Sequence, residues 1–325
     1  MRILVTGGCG FIGSNFIRHI MAEHDDVHII NVDKLTYCGN PDNLEDISGD
    51  KRYSFIKGDI CDGGSMLDMV KDADIVVNFA AESHVDRSIK YPDDFFMTNI
   101  YGVKILLEAA RKAGISRFIQ VGTDEVYGSV DTGFSSEKDP LRPRSPYSAS
   151  KASGDLLALS YYTTYGLPVI VTRSSNNYGP YQYPEKIIPL FITNLMDGKK
   201  VPLYGDGKNV RDWLFVEDNC EAIDLIMRKG MPGEVYNIGG GYQVSNIELT
   251  FKILRLMGLG EDRIQYVNDR PGHDRRYALD SSKVSGLGWS PSGDLDRKLS
   301  DTIDWYRDNT EWWRSVKEKA EIIEW

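Results

Sequence analysis

Thr123, Asp124 and Glu125 stand side by side at the end of an apolar run, and Tyr147 and Lys151 follow a little further on, four residues apart. Two carboxylic acids that share a site repel each other's charge, so one keeps its proton while the other ionises. Such a pair offers an acid and a base at once. If instead they cap a turn or face water, they do nothing chemical. On a helix, Tyr147 and Lys151 share one face, a turn apart. An ammonium beside a phenol favours the phenolate, below its reference pKa of about 10, and a phenolate can take the proton of an alcohol being oxidised. Oxidation needs a hydride acceptor held close by.

The chain ahead of these residues is built to hold one. Arg2-Ile3-Leu4-Val5-Thr6 has the pattern of a buried parallel strand and runs into Gly7-Gly8-Cys9-Gly10-Phe11-Ile12-Gly13. Gly8, Gly10 and Gly13 fit G-x-G-x-x-G, and Gly7, Gly10 and Gly13 fit G-x-x-G-x-x-G. Glycines so spaced allow a tight turn, close approach to a pyrophosphate and close helix–strand packing. A helix over Phe11–Glu23 then offers its first N–H groups to the phosphate. A second strand over 27–32 delivers Asp33, twenty residues past Gly13, where a carboxylate can accept both adenosine ribose hydroxyls. That charge disfavours a 2′-phosphate and selects NAD over NADP, although Lys34 beside it pulls the other way.

The strand–helix alternation continues. A third strand is expected over 53–57, with Asp59 and Ile60 beside an adenine. A fourth, over 75–79, ends in Ala80-Ala81-Glu82-Ser83-His84, where small residues leave room for a cofactor and His84 reads as a hydrogen-bonded structural imidazole. From Pro92 to Lys112 an amphipathic segment carries Ile100, Val103, Leu106, Leu107 and Ala110 at helical spacing, a core or subunit-contact stripe. Strands over 118–121 and 168–172 complete the first half. The fold class is α/β: a Rossmann-like doubly wound parallel sheet with a smaller α/β substrate-binding domain. The expected division is a cofactor domain of residues 1–179 plus about 210–246, and a substrate domain of about 180–209 plus 247–325. The chain is expected to rejoin the sheet from Arg211 onward.

Composition bounds the partners. The 325 residues carry a net charge of −10, which argues against nucleic acid or an acidic membrane surface. The short basic run at residues 270–276 does not change that. No apolar run reaches the length of a membrane span, and the first residues lack signal-peptide anatomy. Cys9, Cys38, Cys61 and Cys220 are scattered, so free thiols in a reducing cytoplasm are expected and no metal site is. Trp305, Trp312, Trp313 and Trp325 read as packing residues near the C-terminus.

Taken together, these motifs resemble the extended short-chain dehydrogenase/reductase superfamily and, within it, the dTDP-glucose 4,6-dehydratases. The resemblance runs from the first strand to about Tyr277. It is carried by Gly7 to Ser14, Asp33 to Tyr37, Ala80-Ala81-Glu82-Ser83-His84-Val85-Asp86-Arg87-Ser88 and Thr123-Asp124-Glu125-Val126-Tyr127-Gly128, and more specifically by Asn176-Asn177-Tyr178-Gly179-Pro180-Tyr181-Gln182, Pro202-Leu203-Tyr204-Gly205-Asp206-Gly207, Arg211-Asp212-Trp213 and Arg270-Pro271-Gly272-His273-Asp274-Arg275-Arg276-Tyr277. Cys9 stands where the family usually has alanine, and a thiol beside the pyrophosphate turn is expected to add oxidation sensitivity. Ser174-Ser175 replaces a common Cys–Ser pair.

The resemblance implies dehydration of a nucleotide-linked glucose to its 4-keto-6-deoxy form, with bound NAD that is not consumed overall. Tyr147, supported by Lys151 and Thr123, would take the C4 hydroxyl proton as hydride passes to NAD. Glu125 would remove the acidified C5 proton, and Asp124 would protonate the departing C6 hydroxyl before the hydride returns to C6. The resemblance also implies that Gly7, Gly10, Phe11, Ile12, Gly13, Asp33, Lys34, Thr36, Asp59, Ile60, Ala80, Ala81, Ser83 and Asn177 hold the cofactor together with Tyr147 and Lys151. For the sugar nucleotide it implies Ser83, Thr123, Asn176, Lys186, Pro202, Tyr204, Arg211, Asn246, Arg270 and His273. Arginine suits a diphosphate because it binds oxygen pairs in a bidentate way. A homodimer through the helices that follow Pro92 and carry Tyr147 is expected. A 4-epimerase or decarboxylase on the same fold would share the glycines and the Tyr–Lys pair without needing both acids.

Overall fold

Short apolar runs alternating with amphipathic segments build the core of the protein. The computed structural model describes residues 1–318; Trp325 lies outside the described residues. β1 (Arg2–Thr6) passes through the Gly-rich turn into α1 (Phe11–Glu23), and β2 (His28–Asp33) then pairs parallel to β1. β3 (Tyr53–Lys57) extends that edge, after which α2 (Gly63–Val70) carries the chain to β4 (Ile75–Asn78) on the other side of β1. α3 (Val85–Lys90), α4 (Pro92–Phe96) and α5 (Val103–Ala113) lead to β5 (Arg117–Thr123), and α6 (Pro146–Tyr165) leads to β6 (Val169–Ser174).

The reversal of strand order between β1 and β4 opens a crevice at the strands' carboxyl ends, the usual ligand position in such sheets. Buried polar side chains stitch that edge together: Thr6 Oγ1 donates to Asn78 Oδ1 at 2.6 Å, and Asn78 Nδ2 donates to Gln120 Oε1 at 2.9 Å. One face of the sheet is covered by Phe16, Ile17 and Ile20 of α1, the other by Leu106, Leu107 and Ala110 of α5 with Ala158 and Tyr161 of α6. The amphipathic segment after Pro92 is not one α-helix. Residues Met97–Gly102 form a π-helical turn, and within it Asn99 points inward to bridge the N–H and C=O of Glu82 at 2.9 and 3.0 Å.

The second half is less regular. β7 (Asn176–Tyr178), α7 (Ile187–Met196), β8 (Val201–Tyr204) and β9 (Val210–Phe215) precede α8 (Val216–Lys229) and β10 (Val235–Ile238). β11 (Gln243–Ser245), α9 (Asn246–Leu256) and β12 (Ile264–Val267) follow, and then come α10 (Ser282–Ser285), α11 (Leu295–Asp308) and α12 (Thr310–Lys317). The seven-stranded sheet runs β10-β6-β5-β4-β1-β2-β3.

The expected return to that sheet from Arg211 is corrected by the structure. β9 pairs with β7 and β11 in a separate three-stranded sheet, and only β10 joins the main one, beside β6. β9 carries Arg211 and Asp212, both buried, and these need polar partners that a helix-covered parallel strand does not offer. Arg211 donates to the Asp274 carbonyl at 3.0 Å, and Asp212 accepts from the Tyr242 N–H at 2.9 Å. α8 does return, packing Ile223 and Ile226 with α1. A third core, with Phe191, Trp213, Leu249, Ile303, Tyr306 and Trp313, belongs to the smaller part. Trp305, Trp312 and Trp313 are packing residues there: Trp305 stacks on Tyr181 at 4.7 Å, and the Trp313 indole donates to the Tyr306 carbonyl. Among the described residues, no helix is long and apolar enough to cross a membrane.

Candidate active site

A cavity of about 440 Å³ lies along the carboxyl ends of the parallel strands and reaches into the smaller part. Every residue nominated above for catalysis, cofactor or substrate lines it. At one end is the Gly-rich turn. A Cβ at Gly7, where φ is +70°, would sit 2.7 Å from the Ala80 nitrogen, and one at Gly13 would sit 2.4 Å from the Gly7 carbonyl oxygen. Side chains are therefore excluded, which leaves the α1 N-terminus open to an anion. The Asp33 carboxylate accepts from Cys9 N–H at 2.9 Å and Leu35 N–H at 2.8 Å, one bond per oxygen. Each oxygen keeps a lone pair for a further donor. Lys34 is bound to Asp59 at 2.9 Å, so its charge is neutralised and a second carboxylate faces the same edge. This edge fits a ribose diol and opposes a 2′-phosphate.

Two expectations are corrected here. Cys9 is fully buried, and burial followed by the nearby Asp33 charge pushes its thiol up to about 12; a buried, protonated thiol is a poor target for oxidants. All four cysteines are free. His84 accepts the Arg87 N–H on Nδ1 and caps α3, and burial lowers its pKa to about 3. It is neutral and structural, as anticipated.

The second correction concerns the Tyr–Lys pair. The Lys151 ammonium donates to the Val121 carbonyl at 2.6 Å, because α6 lies tight against β5. Burial lowers its proton affinity and the Asp155 charge restores part of it. The Tyr147 phenol is pushed upward by burial and then by Glu125, while a hydrogen bond with Thr123 works the other way. Lys151 thus sits in the right place without itself making the phenol acidic.

The acids are distinguished by their surroundings. Thr123 ends β5, and residues Asp124–Tyr127 form a 3₁₀ turn that directs both carboxyls to the cavity wall. Asp124 is 3% exposed. Its Oδ1 accepts from the Thr123 hydroxyl at 3.3 Å, and its Oδ2 has no partner among the described residues. Burial first, then Glu125, then Asp212 raise its pKa well above the usual carboxylate range. Burial also raises Glu125, but Arg270, Arg211 and Lys186 pull it back down. Burial and neighbouring carboxylates thus favour a proton on Asp124 more strongly, while three cations favour the ionised form of Glu125.

Around them, Arg270 donates to Asp86 Oδ1 at 2.8 Å, its Nε having no partner among the described residues, and Lys186 donates to the Ser83 carbonyl at 2.7 Å. Tyr204 donates to Asp86 Oδ2 at 3.3 Å, and its ring meets that of His273. The side-chain oxygens of Asn176, Asn177 and Asn246 are buried without partners among the described residues. Sequence reasoning missed two residues. Asp86, which aligns Arg270 with Tyr204, sat inside a quoted motif without a role. Asp212, raised to about 6 by burial, adds a third carboxyl near Asp124; its only signal was its place between Arg211 and Trp213.

A doubly wound sheet with a glycine turn at its switch point and a Tyr–Lys helix facing that turn defines an extended short-chain dehydrogenase/reductase. The family profile described as GDP-mannose 4,6 dehydratase matches residues 4–302. A dTDP-glucose 4,6-dehydratase of Streptomyces niveus is 51% identical over 326 residues, 99% of this chain and 97% of the relative. One from Streptomyces antibioticus is 52% identical over 325 residues, 98% and 96% of the two chains. The crystal structure of the Streptomyces venezuelae dTDP-glucose 4,6-dehydratase, with NAD bound, superposes with a TM-score of 0.96 at 49% identity, covering 97% of this chain and 100% of that one. The chain belongs to the dTDP-glucose 4,6-dehydratase family.

Proposed function

We propose that this protein converts dTDP-glucose to dTDP-4-keto-6-deoxyglucose. The observation that carries the reading is the adjacent pair of unlike acids, Asp124 shielded and proton-holding, Glu125 facing three cations, on the wall that also holds Thr123 and Tyr147. NAD, when bound, supplies a hydride acceptor that is regenerated within the turnover and, when oxidised, a positive charge favouring the Tyr147 phenolate. The glycine turn, Asp33, Lys34, Thr36, Asp59, Ile60, Ala80, Ala81, Ser83 and Asn177 would hold it. Tyr147 removes the C4 hydroxyl proton while Thr123 orients that hydroxyl and Lys151 fixes the helix against β5. The C4 ketone acidifies C5–H, and Glu125 takes that proton. Asp124 then gives its own proton to the C6 hydroxyl, which departs as water; the hydride taken from C4 returns to C6 and C5 regains a proton, so no NADH is left over. Arg211, Arg270 and Lys186 bind the diphosphate, and Asn176, Asn246, Pro202, Tyr204 and His273 the rest of the nucleotide.

Incubation with dTDP-glucose in deuterated water tests this. A 4-keto-6-deoxy sugar carrying deuterium at C5, with no net NADH, is the expected product. A 4-epimer retaining its C6 hydroxyl would overturn the reading. UDP- and GDP-glucose run in parallel report the preferred base, and slower turnover than with dTDP-glucose is expected.

Two coarser features complete the proposal. We assign β9 to the sugar-nucleotide part together with residues 180–209 and 247–318, and the remainder to the cofactor part, because Trp213 and Phe215 belong to the smaller core. We also assign a homodimer. Phe96, Met97 and Tyr101 on the π-helical turn and its approach, with Leu156 on the adjoining α6, expose large apolar surface, Met97 by 51% and Leu156 by 57%; such a patch marks an association face. Met97→Asp combined with Leu156→Asp should yield a monomer by light scattering, and an unchanged dimer would place the interface elsewhere. Free thiols suit a cytoplasmic setting.

A further inference from the structure

Asn43 and Trp312 lie outside the cavity, 269 residues apart in sequence, yet they are joined to each other and to the Gly-rich turn. The Trp312 indole N–H donates to Asn43 Oδ1 at 2.8 Å, and Asn43 Nδ2 donates to the Cys9 carbonyl at 2.9 Å. This arrangement fixes which end of the amide is which, because only one orientation serves both neighbours. Asn43 is 2% exposed, so its bond to Cys9 is made away from water, while the one from the half-buried Trp312 is partly shielded. The Cys9 carbonyl also accepts the Asn40 N–H at 3.0 Å, while the Cys9 N–H is held by Asp33 at 2.9 Å. Both peptide groups of Cys9 are therefore clamped.

The clamp is braced from the same side. Arg18 of α1 donates to the Asn43 carbonyl and grips Asp46 with two bonds, at 2.7 and 3.0 Å. Its guanidinium lies 4.1 Å from the Tyr181 ring centre, and Tyr181 in turn packs against Trp305 and Trp312. Helices α11 and α12, which belong to the smaller part, thus reach across to the segment that backs the dinucleotide turn.

We infer that Asn43 and Trp312 are positioning residues for cofactor retention: α12, through the Asn43 amide, holds the Cys9 carbonyl away from the phosphate side of the turn. A flip of the Cys9–Gly10 peptide would swing a carbonyl oxygen toward the anion that the turn is built to receive. Clamping that carbonyl also keeps the Gly10 N–H of the same peptide on the Gly7 carbonyl at 3.2 Å, which holds the turn in the shape that leaves the α1 N-terminus open to the phosphate. The inference rests on the NAD reading above and deepens it: grip on the cofactor is set partly by the C-terminal helices.

The test compares Trp312→Phe, which keeps the ring and removes the donor, with Asn43→Asp, which removes the donor to Cys9 and sets a carboxylate against its carbonyl. NAD retained after transfer to NAD-free buffer is followed with time, and amide hydrogen exchange of residues 7–13 is measured in NAD-stripped protein. NAD should leave about tenfold faster from the Trp312 variant and faster still from the Asn43 variant, with quicker exchange in the turn. Excess NAD should restore kcat, and the KM for the nucleotide sugar should not move. A purely structural brace would lower Tm and leave NAD release unchanged, which overturns the inference. Release and exchange within twofold of wild type in Trp312→Phe also overturn it, whether or not Asn43→Asp folds. Failure of the dehydratase reading would show separately, as a different sugar product with NAD still retained.

Discussion

Glu125→Gln is expected to lower turnover by about 10²–10⁴-fold, the usual worth of a positioned general base, while C4 oxidation survives. The glutamine keeps the shape and both polar atoms of the side chain but cannot accept a proton. Burial raises the Glu125 pKa, and Arg270, Arg211 and Lys186 oppose that rise and favour the carboxylate form. In a single turnover, reduced nicotinamide should therefore accumulate in the variant, and exchange of C5–H with solvent deuterium should be lost. In the wild-type protein that exchange should decline as pH falls through the raised pKa of Glu125, and the glutamine variant should show no such limb. Ready deuterium incorporation at C5 by the variant would remove Glu125 from the role of base.

That the two acids could be singled out at all follows from their adjacency, and the same holds for the glycine turn. Requirements that act over a few residues are written locally. Gly7 must have φ of +70° and no Cβ, and the next six residues carry the rest of the motif. Tyr147 and Lys151 were likewise legible as a helical pair, and β1 to β6 of the main sheet each appeared as an apolar run within two residues of the observed ends.

What sequence did not reveal depends on neighbours distant in the chain. Nothing near Lys151 says that its ammonium meets the Val121 carbonyl, because that contact is set by how α6 docks on β5. The inertness of Cys9 comes from its complete burial against α1 and Asn31. β9 ends in the apolar run Trp213-Leu214-Phe215, but its membership of a small separate sheet is decided by β7 and β11, more than thirty residues before it and about thirty after. Asp212 acquires its influence on Asp124 only through that placement. The chemistry could therefore be assigned to residue types from the sequence, whereas the electrostatic ranking of those residues required the fold.

Asp124→Asn sharpens that ranking into a result with two opposed readouts. Elimination of water should slow by about 10²–10⁴-fold, because the amide can still hydrogen-bond the C6 hydroxyl but has no transferable proton. C5 exchange should continue, since Glu125 is intact. Wild-type elimination should fall as pH rises through the raised pKa of Asp124, and the asparagine variant should lack that dependence. Stability should move the other way. A folded-state pKa above the unfolded one means that the native protein binds the proton more tightly than the unfolded chain does. The Asp124 contribution is then fully present below the unfolded pKa, and as pH rises from there through the folded pKa, ionisation of the unfolded chain erodes native stability. Asparagine, neutral in both states, removes that loss, so the variant should melt no lower than wild type at neutral pH and should gain most at alkaline pH. A slow but stable variant marks Asp124 as a residue kept for chemistry at the expense of the fold. Undiminished elimination would instead give the acid's role to water or another residue, and a fall in Tm would mean that the Asp124 carboxyl serves the structure.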